Sequence, residues 1–377
     1  MTGSDSNNSG AGGQRPRQGS EPLLTIEEGV AVAQALDGGR DAIIECITGC
    51  MEGQGATAPE SLSQSLGEQG QNRWREDLHY HLDHLAGSAI AGESTLFARY
   101  VTWLDQVLSA RGESADGLRR SLRALRQCLH RELATEQLSA TQTIIDHGLT
   151  TLTGSSVAIR GLGGTSDLLA YHPWTDKLVA SALDDQRAYA YRLMKRVSRQ
   201  EGYVSMAVRL VQPALYRLGR AWQTNRISVA DDGQAREMVM GLLTRLFGEA
   251  APPATTNDRK ALLACVPSNQ HSFGVHLVAD AFELDGWQVE CLGAATSSEH
   301  LVADIQRSQP DLVGLSVAMI AQLPELKQQV DAIKAAFGSA RPTLIGGGAG
   351  LNAVPQLAER LGLDGWYADP REAAASV

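Results

Sequence analysis

The sequence predicts a chain of mixed class, α followed by α/β. An N-terminal all-helical domain and a four-helix bundle precede a parallel sheet wound with helices on both faces. Three observations predict this. Apolar residues recur at three- and four-residue spacing up to about Leu149, and again over residues 175–249, as in amphipathic helices. Ala91-Gly92-Glu93-Ser94 and Arg111-Gly112-Glu113-Ser114 read as C-cap glycines followed by N-cap serines. After Pro252-Pro253 short apolar runs alternate with helical segments, which is the pattern of βαβ units.

The elements follow in order. Residues 1–20 are rich in Gly, Ser, Asn and Gln, with Arg15 and Arg17, and read as a disordered tail. They lack the apolar stretch of a secretory signal. The helical domain spans 21–150. Thr25-Ile26-Glu27-Glu28 starts a helix, and Val30, Ala33, Ile43, Ile44 and Ile47 continue its apolar face. A polar stretch from Glu52 to Gln71 interrupts the pattern. Helices are then predicted over Trp74–Ala91, Ser94–Ala110, Ala115–Glu132 and Thr135–Leu149. Residues 151–174 form a linker; its Gly161-Leu162-Gly163 lacks the Gly-Lys-Ser/Thr of a phosphate loop. The bundle over 175–250 holds helices at 176–182, 184–200, 203–224 and 229–246. The sheet domain, 258–377, is Rossmann-like or flavodoxin-like. Its strands are Ala261–Val266, Trp287–Leu292, Leu312–Val317, Thr343–Ile345 and Gly365–Ala368. Its helices are 274–286, 298–308, 321–337 and 351–361, and Pro370 to Val377 has room for only a turn or two.

Length and charge limit the function classes. The 377 residues suffice for two or three domains. With 43% hydrophobic residues and a net charge of -10 the chain reads as soluble, and the negative balance argues against broad nucleic-acid binding. No basic recognition helix is visible, so direct DNA binding is not expected. No apolar run approaches the roughly 18 residues of a membrane span. Cysteines 46, 50, 128, 265 and 291 are scattered and are expected to be reduced thiols of a cytoplasmic protein.

The most informative segment is Val266-Pro267-Ser268-Asn269-Gln270-His271-Ser272-Phe273-Gly274. It places a histidine on the loop between the first strand and its helix, at the sheet edge where open α/β sheets bind ligands. A neutral imidazole there is a ready metal ligand. Two further loops fall at strand ends. One is Gly314-Leu315-Ser316-Val317-Ala318, with 41 residues between Gly274 and Ser316. The other is Ile345-Gly346-Gly347-Gly348-Ala349-Gly350, with 27 residues between Ala318 and Gly346.

Over residues 258–369 these motifs resemble the cobalamin-binding domain family, whose signature is Asp-x-His-x-x-Gly, then Ser-x-Leu, then Gly-Gly. The resemblance implies that His271 is the lower axial ligand of cobalt. It also implies that Ser272, Phe273, Gly274, Ser316, Ala318, Gly346, Gly347 and Gly348 surround the cofactor and its nucleotide tail. Glycines suit a tail threaded along the sheet, where a Cβ would collide. Asn269 stands where the family has Asp, and Ala318 where it has Leu. Asn269 is expected to accept the second ring N–H of His271 without adding charge.

Within the bundle, Leu218-Gly219-Arg220-Ala221-Trp222 and Ile227-Ser228-Val229-Ala230-Asp231-Asp232-Gly233 are similar to the helical caps of light-sensing cobalamin transcription regulators. That resemblance implies that Trp222, Val229 and Asp232 cover the upper face of adenosylcobalamin. Asp232 takes the place of the family's Glu, and Gly233 replaces its upper histidine. A two-histidine adduct through that position is therefore not expected; water or His172 are the alternatives.

The N-terminal helices carry Arg73-Trp74-Arg75 and His79-Tyr80-His81-Leu82-Asp83-His84, then Phe97, Tyr100 and Trp103. Helical spacing puts Tyr80 and His84 on one face and makes His81 and His84 neighbours. A helical domain joined to a cap and a cobalamin domain resembles the photocobilins, which bind both cobalamin and biliverdin; such a domain can be globin-like. For biliverdin the candidates are Arg73, Arg75, Tyr80, His81, His84, Arg99, Tyr100 and Trp103, since propionates want cations and pyrrole N–H groups want acceptors. Attachment through Cys46, Cys50 or Cys128 is left open. Arg119, Arg120, Arg123, Arg126 and Arg131 read as a solvated helix face.

The resemblances imply a cytoplasmic photoreceptor rather than an enzyme. Breakage of the Co–C bond by light would move the cap, change a homo-oligomer and signal to a protein partner. The alternatives are a corrinoid methyl carrier of a multi-subunit methyltransferase, and a cobalamin-dependent antirepressor without bilin.

Overall fold

A computed structural model describes residues 22–53, 62–152, 173–250 and 257–376, with only the backbone given over 52–53 and 62–74. The tail, most of the linker, His172 and the Arg73 side chain lie outside what is described. The N-terminal part holds α1 (Ile26–Gly38), α2 (Arg40–Gly53), α3 (Leu62–Ala91), α4 (Ser94–Ser109), α5 (Ala115–Cys128) and α6 (Thr135–Thr151). At the start of α1, the Thr25 hydroxyl accepts the Glu28 N–H and the Glu28 carboxylate accepts the Thr25 N–H. Gly92 ends α3 at φ +65°; a Cβ there would lie 2.7 Å from the Leu24 carbonyl oxygen.

Three expectations change in this part. The helix predicted from Trp74 begins at Leu62. Leu, Gln and Glu are good helix formers, and a helix already held by packing extends at one hydrogen bond per added residue. The arginine face of α5 is partly structural. Arg126 forks onto Asp146 of α6 at 2.7 and 3.0 Å, and Arg119 pairs with Asp116 and donates to the Leu152 carbonyl. Finally, Cys46 and Cys128 are disulfide-bonded, with the Cys50 sulfur 4.0 Å from Cys128. The two bonded residues are 82 apart in sequence, and only the packing of α2 on α5 brings them together.

The cap holds α7 (Thr175–Leu183), α8 (Arg187–Glu201), α9 (Tyr203–Met206), α10 (Gln212–Gln223) and α11 (Val229–Phe247). A π turn over Ala207–Val211 joins α9 to α10 just before Pro213. Proline cannot donate the hydrogen bond that would continue the α ladder, which accounts for a wider turn here.

The sheet domain runs β1 (Lys260–Cys265), α12 (Phe273–Leu284), β2 (Gln288–Gly293), α13 (Ser298–Ser308), β3 (Leu312–Ser316), α14 (Leu323–Phe337), β4 (Thr343–Gly347), α15 (Ala349–Asn352), α16 (Ala358–Leu361), β5 (Gly365–Trp366) and α17 (Pro370–Ser376). Pro355 splits the helix expected over 351–361 with a 3-10 turn, Pro355–Leu357. The strands are parallel in the order β2-β1-β3-β4-β5. The chain reverses direction across the sheet between β1 and β3, so the crevice for a ligand lies at their carboxyl ends.

Three contacts fasten this edge to the rest. In α3, a Cβ on Gly87 would lie 2.1 Å from the Ile320 carbonyl oxygen, so the helix backbone rests directly on the loop after β3. The N-terminal helices share a buried core with one face of the sheet, including Ile320 and Leu323. The cap has its own core, which Leu277 of α12 enters, and the Tyr203 hydroxyl donates to Asp280. Among the described residues no helix is long and apolar enough to cross a membrane.

Candidate functional site

Asn269 organises the sheet edge. It is fully buried; its Oδ1 accepts the backbone N–H of His271 at 2.9 Å and its Nδ2 donates to the Ser316 carbonyl at 2.9 Å. The expected bond from the His271 ring is therefore not the one formed. Asn269 spends its side chain on joining the β1 loop to the end of β3. Its backbone carbonyl also accepts the Ala295 N–H, which ties in the loop after β2.

This leaves the His271 imidazole without a hydrogen bond among the described residues. The ring is open to solvent, yet the surrounding protein desolvates it enough to lower its pKa, and the nearby Arg236 charge lowers it further. A lowered pKa keeps the ring neutral at pH 7, with a nitrogen lone pair to give to a metal. Beside it Ser272 is half-buried, Phe273 packs against the cap core, and a Cβ on Gly274 would meet nothing within 4 Å.

The other two loops are braced from within. The Ala318 and Met319 N–H groups donate to Gln322 Oε1 at 2.8 and 3.1 Å. The Val317 N–H donates to the Gly347 carbonyl, and burial pushes the neighbouring Cys265 thiol up to about 11. The β4 glycines fit their own chain: a Cβ on Gly346 would lie 2.6 Å from Leu363 Cδ1, and one on Gly347 3.1 Å from the Tyr367 carbonyl oxygen. Gly348, at φ +99°, would put its Cβ 2.4 Å from the Val317 carbonyl oxygen. Close approach of the protein to itself is thus a reason for glycine at these three positions, beside the tail that the resemblance implies. Ser316 is half-buried beside them.

On the cap, α11 brings Arg236 close enough to His271 for its charge to act on the ring. Ser228 and Asp231 form a capping box. Asp232 Oδ2 accepts from Arg236 Nε at 2.7 Å, while its Oδ1 is buried without a partner among the described residues. Arg236 also donates to the Leu215 carbonyl, which holds its charge near the imidazole. Val229 is 72% exposed, and a Cβ on Gly233 would meet nothing. Trp222 is engaged by the N-terminal part: the Arg111 guanidinium lies 5.0 Å from its ring centroid and donates to its carbonyl.

The N-terminal candidates divide. Tyr100 is buried at their centre, sharing a 2.7 Å hydrogen bond with His81 Nδ1 and stacking on His84 at 3.8 Å. Trp103 lies 6.2 Å from Tyr100 with its indole N–H buried and without a partner among the described residues, and Arg99 is half-buried. Tyr80 and Arg75 are exposed, and the Tyr80 carbonyl accepts His84 Nδ1–H at 2.9 Å one turn along α3. Burial drives the pKa of His81 down to about 3 and of His84 to about 4, so both are neutral.

Sequence reasoning missed Arg236, Arg111 and the three-cysteine cluster. Arg236 was within reach as the residue four after Asp232, the spacing of a helical ion pair. Cys46 and Cys50 sit four apart on a predicted helix, but no local signal brings Cys128 to them or marks Arg111.

The donor set suits a corrinoid cobalt. It has an unpaired neutral imidazole, open space over Gly274 and Gly233, and an orphan carboxylate oxygen on Asp232 that could accept from an amide. Residues 259–375 match the family model of the B12 binding domain. The chain is 23% identical over 197 residues to the HTH-type transcriptional repressor CarH of Myxococcus xanthus, covering 52% of this chain and 65% of that one. It is 30% identical over 154 residues to the HTH-type transcriptional repressor CarA of the same organism, covering 40% and 51%. The matches thus span between half and two thirds of these relatives. Similar solved structures include the Methanosarcina barkeri monomethylamine corrinoid protein, with TM-score 0.45 and 18% identity over 56% of this chain and 97% of that one. Another is a cobalamin-binding protein from Desulfitobacterium hafniense DCB-2, with TM-score 0.30 and 19% identity over 53% and 95%. The C-terminal sheet is a B12-binding domain with sequence similarity to the two regulators.

Proposed function

We propose that this protein is a light-responsive regulator that holds adenosylcobalamin on His271 and signals through its cap to a partner protein rather than through chemistry on a substrate. The observation that carries the reading is the His271 imidazole itself. It is neutral, unpaired and set at the β1/β3 crevice inside the segment matched by the B12 family model. Bound adenosylcobalamin would supply a cobalt–carbon bond that visible light can break.

The chain's own residues perform the rest. Asn269 fixes the backbone of the ligand loop, so that the ring is presented without being consumed by a protein hydrogen bond. Arg236, anchored on Asp232 and Leu215, keeps a positive charge nearby that disfavours protonation of the ligand nitrogen. Trp222 and Val229 would cover the upper face of the cofactor, and Arg111 links Trp222 to the N-terminal helices, so a cap displacement would be felt there. In the same reading biliverdin occupies the N-terminal domain. The support is the His81, Tyr100, His84 and Trp103 cluster, whose indole N–H lacks a partner among the described residues.

The test is the absorption spectrum and elution volume of the purified protein, loaded with adenosylcobalamin and with biliverdin, before and after illumination. A bound cobalamin spectrum that changes in light together with the oligomeric state supports the proposal. A stable spectrum in light points to the methyl-carrier reading instead. Absence of bound cobalamin ends both, and absence of a red-absorbing bilin band removes only the N-terminal part.

A further inference from the structure

We infer that Cys46, Cys50 and Cys128 form a second metal site, a three-thiolate site for a thiophilic d10 cation such as Zn2+, open in the reduced protein and closed by the Cys46–Cys128 disulfide. A disulfide needs two sulfurs, and here three converge, all within 4.8 Å of one another. Cys46 and Cys50 are one helical turn apart on α2 and so share a face. Cys128, the last residue of α5, comes from the opposite helix. Four-coordinate zinc with Zn–S bonds of about 2.3 Å places its thiolates about 3.8 Å apart. The Cys50 to Cys128 separation of 4.0 Å is already close to that spacing.

The frame is rigid and the mouth is open. Ile43 and Ile47 on α2, and Leu125 and Leu129 beside Cys128, are fully buried and hold the two helices together. Cys128 is buried, whereas Cys46 and Cys50 are half-buried, so an ion can enter from their side. Thiolate donors without carboxylates select soft or borderline cations over Mg2+ and Ca2+.

The two states exclude each other. A dithiol reductant transfers two electrons and two protons to the Cys46–Cys128 bond and is itself oxidised to a disulfide, leaving three thiols. Binding one Zn2+ then releases three protons to water and forms three Zn–S bonds. In the oxidised protein only Cys50 remains, and a single thiol holds no ion at this site.

The test uses the full chain, reduced with a dithiol, exposed to Zn2+, desalted anaerobically and measured for zinc per chain. One zinc is expected in the reduced wild type and in Cys291→Ser. None is expected in the oxidised protein, and at least tenfold weaker retention is expected in reduced Cys50→Ser. Cys50 takes no part in the disulfide, so the oxidised form of Cys50→Ser reports whether the fold is intact. Absence of zinc in the reduced wild type overturns the inference, as does equal retention by Cys50→Ser or by the oxidised protein.

Discussion

Arg111, just past the end of α4, lies over the indole of Trp222 at the end of α10 and donates to the carbonyls of Trp222 and Gln223 at 3.3 and 3.4 Å. One side chain thus holds the N-terminal part to the cap segment that the resemblance places above the cofactor. Arg111→Ala removes both the cation–π contact and the hydrogen bonds, with an expected loss of about 1–3 kcal/mol of stability. Arg111→Lys keeps the charge but not the fork and is expected to recover only part of it. Urea unfolding of the three proteins measures this. Equal midpoints would show that the contact is not holding the two parts together.

His271→Ala is expected to weaken cobalamin binding at least tenfold. The fold is expected to stay intact within about 0.5 kcal/mol, because the ring makes no hydrogen bond among the described residues and is exposed. The pH dependence follows from the lowered pKa. A protonated imidazole cannot ligate cobalt, so binding is full at high pH and lost as pH falls through the depressed pKa. Binding therefore survives acidification past the ordinary histidine value of about 6.5 and declines only below it. Spectrophotometric titration from pH 8 to about 4 checks this, and a midpoint above 6.5 contradicts it.

Asn269→Asp restores the residue of the family signature, yet it is expected to destabilise this protein. A carboxylate still accepts the His271 N–H but has no proton for the Ser316 carbonyl, and it faces that oxygen with negative charge inside the protein. The expected cost is about 1–3 kcal/mol, read as a lower thermal midpoint. An unchanged or raised midpoint would mean that the Nδ2 bond is dispensable.

The buried histidines make the N-terminal part acid-sensitive. In the folded chain His81 and His84 titrate at about 3 and about 4, whereas both take protons near 6.5 when unfolded. The depressed pKa values contribute stability in full above about 6.5, and it is lost as pH falls towards 4, by up to about 1.4 kcal/mol per pH unit for each ring. His84→Asn is expected to shallow that slope. Urea midpoints at pH 7.5, 6 and 5 measure both.

Gly87→Ala drives a Cβ to within 2.1 Å of the Ile320 carbonyl oxygen, a backbone atom that cannot rotate away. Separation of α3 from the loop after β3 by about 1 Å is expected to cost more than about 2 kcal/mol. Limited proteolysis should then cut near Ile320 faster than in the wild type. Gly117→Ala, in α5 where a Cβ meets nothing, is the comparison; it is expected to leave that cleavage unchanged and to stabilise slightly through helix propensity.

Much of the architecture was legible because it rests on local periodicity. The βαβ alternation after Pro252 located all the strands of the sheet to within a few residues, and Thr25 and Ser114 announced helix starts that are capped as their chemistry requires; Ser94 instead lies inside α4, behind Glu93. Element ends were less legible. The start of α3 and the splitting of the 351–361 helix depend on how far packing extends a weak helix and on one proline.

By itself the sequence determined the order of the elements, the placing of His271 at the edge of a parallel sheet, and the loops that resemble a cobalamin domain. These are properties of side-chain period and turn chemistry, carried by neighbours a few residues apart. Tertiary structure decided what each polar group touches. It gave Asn269 to Ser316 rather than to the His271 ring, set Arg236 beside that ring, laid Arg111 on Trp222 and joined Cys128 to Cys46. Those pairings join residues far apart along the chain, and which donor reaches which acceptor is settled only when helices and strands pack, because hydrogen bonds and sulfur contacts act over about 3–4 Å.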